Sequence, residues 1–341
     1  MEYENEMRET IAKICAPYKG ILAADESTGT IQKRFDSIGI ENTHENRIKY
    51  RNLLFKTEGI ENNISGVITY SETLEDVLES GTRLVQPLFD KGIVVGIKTD
   101  CGLANLPFSE EVMTLGLDTL AERSKRFYEL GARFAKWRCV YEINIQKGYP
   151  SQLAIENNAR TLALYAGISQ QNGLVPIVEP EVLMDGNHSS LTSYEVTKKV
   201  LLEVYNQLYK HNVRVDLTLL KPNMVRYGTK FQEKDKISNY VAAEMTLQVL
   251  RETVPCDVQG IVFLSGGMTE EESTECLNLI NSSKSKKPWR LSFSYGRALQ
   301  KSTMKVWSQD INSDEVIKEA QNCFMQKARE NGEASEGIYK N

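Results

Sequence analysis

The chain reads Asp216-Leu217-Thr218-Leu219-Leu220-Lys221-Pro222 at the point from which its fold is most readily deduced. Two leucines precede a single lysine, and a proline follows it. Because the ring of Pro222 disfavours helical angles at the preceding residue, Lys221 is predicted to be extended. An apolar run that ends abruptly at one charged residue is typical of a buried strand. We therefore predict that Lys221 is the last residue of such a strand.

Two interpretations of Lys221 follow from this position. A lysine held against apolar walls loses hydration, which disfavours its charged form and leaves an amine that can attack a carbonyl and form an imine. Alternatively, the side chain extends from the strand end and keeps its ammonium in water. The segment alone favours the second interpretation, since strand-end lysines commonly do this. The rest of the chain favours the first.

Seven other short apolar segments resemble this strand, and helix-length segments separate them. Strands that alternate with helices indicate parallel βαβ units, and eight such units predict a single closed (β/α)8 TIM barrel of the α/β class. Met7, Ile11 and Ile14 have helical spacing and predict an N-terminal helix. The seven strands are predicted at residues 20–24, 66–69, 93–98, 132–137, 174–179, 259–265 and 290–295, and helices at 117–130, 154–169, 193–211 and 237–253.

We read residues 1–330 as one domain, because no linker rich in proline, glycine or serine divides them. From residue 331 onward the sequence becomes small and polar, so residues 331–341 are predicted to form a flexible C-terminal tail.

Composition argues against several classes of protein. The 341 residues are 41% hydrophobic and 26% charged, as in an ordinary globular protein. A net charge of −5 argues against nucleic-acid binding. No apolar run approaches the roughly 18 residues that a membrane helix needs, and the acidic N-terminus lacks a signal-peptide core. We therefore expect no nucleic-acid partner, no membrane association and a cytoplasmic location.

Cysteine and histidine usage argues against a metal centre. The six cysteines have no short paired spacing, which fits reduced thiols better than a disulfide framework or a zinc site. The three histidines share no short motif, so a histidine-based metal site is not expected. A magnesium site made of carboxylates alone stays open.

Polar residues gather where the predicted strands end. In a barrel of this type the carboxyl ends of the strands form one rim, where catalytic groups converge. Strand ends are also polar simply because they meet water, but that explanation accounts poorly for several lysines and carboxylates that follow apolar strands. Neighbouring lysines are expected to lower the pKa of one of them, and the carboxylates to relay protons. These rim residues are Asp25, Lys98, Asp100, Lys136, Arg138, Glu179, Lys221 and Ser265.

Two loops of the predicted rim have the features of phosphate sites. Ser265-Gly266-Gly267 follows the seventh strand, and its glycines allow backbone N–H groups to approach an anion closely. Tyr295-Gly296-Arg297 follows the eighth strand and adds a guanidinium suited to two parallel hydrogen bonds. In barrels of this type phosphate sites lie after these two strands.

The first loop offers a third set of groups, the hydroxyls of Ser27 and Thr30 with Lys33 and Arg34 one turn further on. They predict either a second phosphate site or a capped helix start with a solvated basic pair. Two phosphate sites beside an imine-forming lysine would suit a sugar phosphorylated at both ends.

The chain resembles class I fructose-bisphosphate aldolases, the Schiff-base type, in a series of motifs that occur in the family's order. The matching stretches are Leu22-Ala23-Ala24-Asp25-Glu26-Ser27-Thr28-Gly29, Gly96-Ile97-Lys98, Ala135-Lys136-Trp137-Arg138-Cys139, Val178-Glu179-Pro180-Glu181, Leu219-Leu220-Lys221-Pro222-Asn223-Met224, Phe263-Leu264-Ser265-Gly266-Gly267 and Ser294-Tyr295-Gly296-Arg297-Ala298-Leu299-Gln300.

The resemblance implies reversible cleavage of fructose 1,6-bisphosphate to dihydroxyacetone phosphate and glyceraldehyde 3-phosphate. It also implies that Lys221 forms the imine, that Glu179 is the main acid and base, that Asp25 and Lys136 assist at the C3–C4 bond, and that Glu181 tunes the surrounding charge. The substrate-binding residues implied, together with the loops above, are Ser27, Thr30, Lys33, Arg34, Lys98, Arg138, Ser265, Gly266, Gly267, Tyr295, Gly296 and Arg297.

The resemblance further implies a metal-independent, cofactor-free, cytosolic homotetramer that acts on sugar phosphates. A secondary role with a cytoskeletal or adhesin partner is compatible with it. Two alternatives stay open: a related Schiff-base lyase for another sugar phosphate, and a binding scaffold that has lost catalysis.

The C-terminus departs from the family pattern. Family members end in a tyrosine that reaches the active site, whereas here Tyr339 is followed by Lys340 and Asn341. One interpretation is that the mobile tail delivers the Tyr339 phenol to the enamine carbon and excludes water. The other is that Tyr339 is an aromatic residue with no part in the chemistry.

Overall fold

A computed structural model describes residues 2–232 and 237–340 of the chain. The described residues form ten strands: β1 (Gly20–Ala24), β2 (Ile64–Thr69), β3 (Val94–Lys98), β4 (Leu103–Asn105), β5 (Val112–Thr114), β6 (Phe134–Tyr141), β7 (Val175–Val182), β8 (Leu219–Leu220), β9 (Gly260–Phe263) and β10 (Arg290–Tyr295). Eight of them pair in parallel into a closed barrel in the order β1-β10-β9-β8-β7-β6-β3-β2. The predicted (β/α)8 barrel is thus confirmed.

Helices surround the barrel, and most connect one strand to the next. Those of the described residues are α1 (Glu4–Ile14), α2 (Thr28–Asp36), α3 (His44–Lys56), α4 (Ser71–Glu75), α5 (Gln86–Asp90), α6 (Leu120–Glu129), α7 (Gln152–Gln171), α8 (Ser190–Lys210), α9 (Asn239–Thr253), α10 (Glu270–Ser282), α11 (Arg297–Trp307) and α12 (Asp314–Ala334). None of the helices in this part of the chain has the length and apolarity that crossing a membrane would require.

The predicted strands correspond to the barrel strands, with shifted ends. β8 is shorter than predicted, and Lys221 follows it instead of ending it, although its N–H still donates to the carbonyl of Val178 on β7 at 2.8 Å. The antiparallel β4–β5 pair was not predicted. β4 is largely exposed and β5 is half-buried, and with three residues each they are too short to carry an apolar pattern that a sequence could reveal.

Alternation along each strand separates an inner from an outer set of side chains. The inner set includes Ile21, Phe134 and Leu219, which pack together inside the barrel. The residues next to them, such as Leu22 and Ala135, pack against the surrounding helices.

The amino end of the barrel is closed by the predicted N-terminal helix. Met7, Ile11 and Ile14 of α1 are buried and belong to the same cluster as the inner barrel residues. Because this end is filled with apolar side chains, the polar side chains of the interior lie toward the carboxyl ends of the strands.

The predicted tail begins inside a helix. α12 continues to Ala334, and Asn331 and Ala334 are fully buried, so the boundary at residue 331 was wrong. Beyond the helix, Glu336 pairs with Arg290 at the start of β10 and accepts a hydrogen bond from the N–H of Tyr18 at 2.8 Å. The segment therefore lies at the amino end of the barrel. Asn341 is outside the described residues, and the mobility of the segment stays a prediction.

A substitution at Gly96 tests how tightly the barrel interior is packed. A methyl group on Gly96 would overlap the ring of Phe134, which fills the space between β3 and β6. We expect Gly96→Ala to lower the free energy of unfolding by about 1–3 kcal/mol, because a packed interior cannot absorb the extra volume without strain. The change is measured as the midpoint of urea unfolding.

Gly29 supplies the matched control, since a Cβ built there would meet no atom of the described residues within 4 Å apart from its chain neighbours and its own helix backbone. Gly29→Ala should not lower stability, because alanine is favoured over glycine in a helix. Adding Phe134→Leu to Gly96→Ala should recover part of the loss. Equal midpoints for Gly96→Ala and the unmodified protein would show that the Phe134 ring moves aside without cost.

Candidate active site

Six polar side chains project into the barrel from the carboxyl ends of their strands. They continue the inner set of each strand: Asp25 after Ile21 and Ala23, Lys136 after Phe134, and Lys221 after Leu219. The strand register places Lys98 beside Lys136, and Arg138 beside Glu179. The structure thus brings together the predicted rim residues of β1, β3, β6, β7 and β8.

Glu179 lies between two lysines. Its Oε1 is 3.1 Å from Nζ of Lys221, and its Oε2 is 3.3 Å from Nζ of Lys136. All three residues are buried. Oε2 has no aligned hydrogen-bond partner among the described residues, so it retains acceptor capacity for a further group.

Lys136 is surrounded by carboxylates. Its Nζ is 2.8 Å from Asp25, 3.3 Å from Glu179 and 3.7 Å from Asp100. Burial alone would lower the pKa of Lys136, but these three carboxylates outweigh burial and raise it well above its ordinary value. Lys136 therefore stays charged, and the predicted lowering of one lysine's pKa does not apply to Lys136.

The pKa of Asp25 is shifted in the opposite direction, because its neighbours are cations. Burial alone would raise the pKa of the Asp25 carboxyl, but the charges of Lys136 and Lys221 hold it well below its ordinary value. Asp25 is therefore ionised at neutral pH.

Two further ion pairs complete the cluster. Nζ of Lys98 lies 2.6 Å from Asp100. Nε of Arg138 donates to Glu181, and although burial opposes the charge of Arg138, Glu181 and Glu179 raise its pKa. The cluster thus holds four basic and four acidic side chains, in equal number.

All of these groups except Asp100 line a cavity of about 450 Å³ at the mouth of the barrel. The volume suits a small, highly polar ligand such as a phosphorylated sugar. Its lining residues are Ala23, Asp25, Glu26, Ser27, Thr30, Lys33, Arg34, Ser37, Lys98, Lys136, Arg138, Glu179, Glu181, Lys221, Leu264, Ser265, Gly266, Ser294, Gly296 and Arg297.

The loops after β9 and β10 meet one wall of this cavity. A Cβ on Gly266 would lie 2.6 Å from Oε1 of Glu181, so the loop needs glycine to pass beside that carboxylate. Gly296 is the N-cap of α11, and the free N–H groups of a helix start attract anions. Arg297 is exposed to the cavity, and the buried hydroxyl of Ser294 has no partner among the described residues.

The first loop differs from the capped helix start that was one of its two interpretations. Ser27 is the N-cap of α2, but its hydroxyl caps no backbone N–H and lies 3.1 Å from the hydroxyl of Thr30. Lys33 is exposed, whereas Arg34 donates to the buried Glu26. Both hydroxyls and both cations line the cavity.

Three predicted site residues lie outside the cavity lining. The Tyr295 side chain is buried on the outer face of β10 and its hydroxyl donates to the carbonyl of Ser273 on α10. Gly267 has a left-handed backbone and packs against Met184. Tyr339 donates its N–H to Asn278 of α10 at 3.0 Å, and its ring packs against the outer core. The structure therefore does not bring Tyr339 to the lysine cluster.

Sequence reasoning missed Glu26 and Ser294. Glu26 directly follows Asp25, and alternation alone would point it away from the barrel interior, so only its arginine partners reveal its place at the cavity. Ser294 looked like an ordinary strand residue. Its free buried hydroxyl is visible only once the barrel is closed.

A separate group of carboxylate and imidazole atoms lies on the exterior. Within the described residues, atoms of His44, Glu72 and Asp76 come within 4.8 Å of one another. Glu72 already pairs with Arg47 at 2.7 Å, and His44 with Asp76 at 2.9 Å, so these groups are partnered without an ion.

Comparisons with known proteins agree over nearly the whole chain. A family model for class I fructose-bisphosphate aldolases matches residues 6–341. Fructose-bisphosphate aldolase 6, cytosolic, from Arabidopsis thaliana is 49% identical over 340 residues, which cover 99% of this chain and 93% of that protein. Fructose-bisphosphate aldolase 1 from Toxoplasma gondii is 49% identical over 339 residues, covering 99% of this chain and 92% of that protein.

A solved structure is equally similar. Fructose-bisphosphate aldolase from Plasmodium falciparum, in complex with TRAP and a small-molecule inhibitor, superposes with a TM-score of 0.96 at 47% sequence identity. The match covers 100% of this chain and 96% of the other. Because one enzyme family accounts for both its sequence and its fold, the chain belongs to the class I fructose-bisphosphate aldolases, glycolytic lyases that reversibly cleave fructose 1,6-bisphosphate through a lysine Schiff base.

Proposed function

We propose that Lys221 is the lysine that forms the Schiff base. The observation that carries this proposal is the buried Lys221 amine, 3.1 Å from Glu179 at the mouth of the barrel. Its attack on the C2 carbonyl of the sugar gives a carbinolamine, which loses water to become an iminium. Glu179 lies within reach of the proton transfers that both steps require.

Cleavage then uses the iminium as an electron sink. A base removes the proton of the C4 hydroxyl, the C3–C4 bonding pair moves toward the iminium, and the aldehyde product leaves behind an enamine. Glu179 is the proposed base, since its Oε2 keeps acceptor capacity. Lys136 stays charged beside it and stabilises the negative charge that develops on the C4 oxygen, and Asp25 assists by holding the Lys136 ammonium in place. Lys98 and Glu181 tune the surrounding charge.

Two regions of the cavity are proposed to hold the two phosphates. Ser265, Gly266, Gly296 and Arg297 would hold one, supported by the start of α11 and the exposed guanidinium. The first-loop hydroxyls and cations, with Lys98 and Arg138, would hold the other or orient the sugar. Gly267 and Tyr295 are left out of this set, since neither lines the cavity.

We also propose a metal-independent enzyme without a cofactor, located in the cytoplasm. The iminium supplies the electron sink that a metal would otherwise provide, and the relatives from Arabidopsis include proteins named cytosolic.

A homotetramer is proposed as well, supported by large apolar side chains that this single chain leaves exposed, such as Phe108 and Leu202. A secondary partner, cytoskeletal or adhesin, is proposed because the Plasmodium falciparum relative was solved in complex with TRAP.

The first prediction of the proposed function concerns Lys221. Borohydride in the presence of dihydroxyacetone phosphate should label the chain once, on Lys221, because reduction traps the imine. Lys221→Met should abolish labelling and cleavage and leave the protein folded, since Glu179 keeps its contact with Lys136. Peptide mapping by mass spectrometry locates the label. The exposed Lys210→Met is the matched control and should label normally. A label on Lys98 or Lys136 alone would contradict the assignment.

The second prediction concerns Arg297. Arg297→Ala should raise the KM for fructose 1,6-bisphosphate by at least about tenfold, since a charge-assisted contact with phosphate is lost. Arg297→Lys should recover only part of the affinity, because an ammonium cannot make two parallel hydrogen bonds. Lys301→Ala removes an exposed charge one turn along the same helix and should leave KM unchanged. An unchanged KM for Arg297→Ala would place the phosphate elsewhere.

The third prediction concerns metals. Dialysis against EDTA should leave kcat and KM unchanged, because the reaction proposed here uses only side chains and substrate. Metal content is measured on the same samples by atomic emission. Reversible loss of activity that zinc restores would contradict the metal-independent mechanism.

A further inference from the structure

A buried carboxylate beside the cavity binds two arginines at once. The Glu26 side chain is only 3% exposed, and its Oε1 accepts from Nη1 of Arg34. Its Oε2 accepts from Nη2 of Arg51 at 2.5 Å. Nε2 of Gln300 donates to Oε1 at 3.2 Å, and the Tyr50 hydroxyl donates to Oε1 of the same glutamine at 3.1 Å, which orients its amide. Arg51, Glu26 and Arg34 thus form a chain of alternating charges, which we call the Glu26 triad.

The two arginines of the triad are placed differently. Arg34 lines the cavity and its side chain is 22% exposed, whereas that of Arg51 is 5% exposed and lies outside the lining. Nη2 of Arg34 is 3.4 Å from the position of a Cβ on Gly296, beside the start of α11. Arg34 is therefore the member of the triad that a phosphate in the cavity can reach.

We infer that Arg51 is a positioning residue for phosphate binding. Its charge compensates that of Glu26, so that the Arg34 side chain can turn its guanidinium from Glu26 to the substrate phosphate. The inference rests on the proposed role of Arg34 in phosphate binding. Arg51 does not touch the substrate; it acts through Glu26.

The electrostatics of the triad supply the reason. Removing one partner of a buried ion pair leaves an uncompensated charge, which is strongly unfavourable. Burial and the neighbouring Asp25 work against the charged form of Glu26, but Arg34 and Arg51 together lower its pKa, so the carboxyl is ionised. If Arg34 turned to a phosphate in the absence of Arg51, Glu26 would be left buried, charged and beside Asp25. With Arg51 in place, one guanidinium remains hydrogen-bonded to Glu26.

The test compares KM and kcat for fructose 1,6-bisphosphate. Arg51→Met should raise KM by about tenfold, the equivalent of ~1.4 kcal/mol, and change kcat by less than about threefold, because the lysine cluster is untouched. Arg51→Gln, which keeps a hydrogen-bond donor without charge, should behave like Arg51→Met and replaces it if that variant does not fold. Arg51→Lys, which keeps the charge, should recover most of the affinity.

A matched control lies on the same helix. Arg47 of α3 binds Glu72 through two nitrogens, each at 2.7 Å, and is not among the residues that line the cavity. Arg47→Met removes the same type of side chain and the same charge, so it should leave KM unchanged. Urea unfolding of each variant shows whether stability and KM change together.

Double variants separate the inference from the proposed function. In an Arg34→Met background, Arg51→Met should have no further effect on KM, since no guanidinium remains to be released. In a Glu26→Gln background the same should hold, since no carboxylate remains to be neutralised.

Each outcome has one reading. If Arg34→Met leaves KM unchanged, the phosphate role of Arg34 fails and the inference fails with it. If Arg34→Met raises KM but neither neutral Arg51 variant does, only the inference fails. An Arg51 effect of equal size in the Arg34→Met background would also overturn it, since Arg51 would then act by another route.

Discussion

The structure depends on keeping charged groups buried at the mouth of the barrel in a balanced arrangement. A buried ion whose partner is removed costs roughly 3–5 kcal/mol, so Lys136 requires the carboxylates around it and they require Lys136. Glu179 links this group to Lys221, because its carboxylate lies between the two Nζ atoms. The position of the Lys221 amine is therefore set by contacts that neighbouring strands supply.

The closed barrel brings these buried polar side chains together. Parallel strands in register bring their inward side chains to the same level, as Lys98 and Lys136 show on β3 and β6. The amino half of the interior is filled by apolar side chains from α1 and from residues such as Phe134. Polar groups are thereby concentrated at the carboxyl half, where a substrate can enter and water can be excluded around it.

The proposed phosphate-binding groups form a second layer around this cluster. Helix starts at α2 and α11 face the cavity, and the guanidiniums of Arg34 and Arg297 lie beside them. Arg34 is partnered by Glu26, whereas the exposed Arg297 lines the open cavity, so in the proposed function the two arginines would meet a phosphate differently. The proposed dependence of substrate affinity on Glu26 and Arg51 follows from this difference, since both residues are buried behind the cavity wall.

The sequence by itself determined the barrel, its N-terminal helix and most of the cluster, because apolar strands ending in lysines and carboxylates carry a strong local pattern. It also indicated the two phosphate loops, through glycines next to Arg297 and Ser265. Only the tertiary structure decided which rim groups face one another. It surrounded Lys136 with three carboxylates, so that its pKa is raised, and it joined Glu26 to arginines on two helices. It also put Tyr339 against α10, since long-range packing at the amino end of the barrel, which no local pattern encodes, fixes that segment.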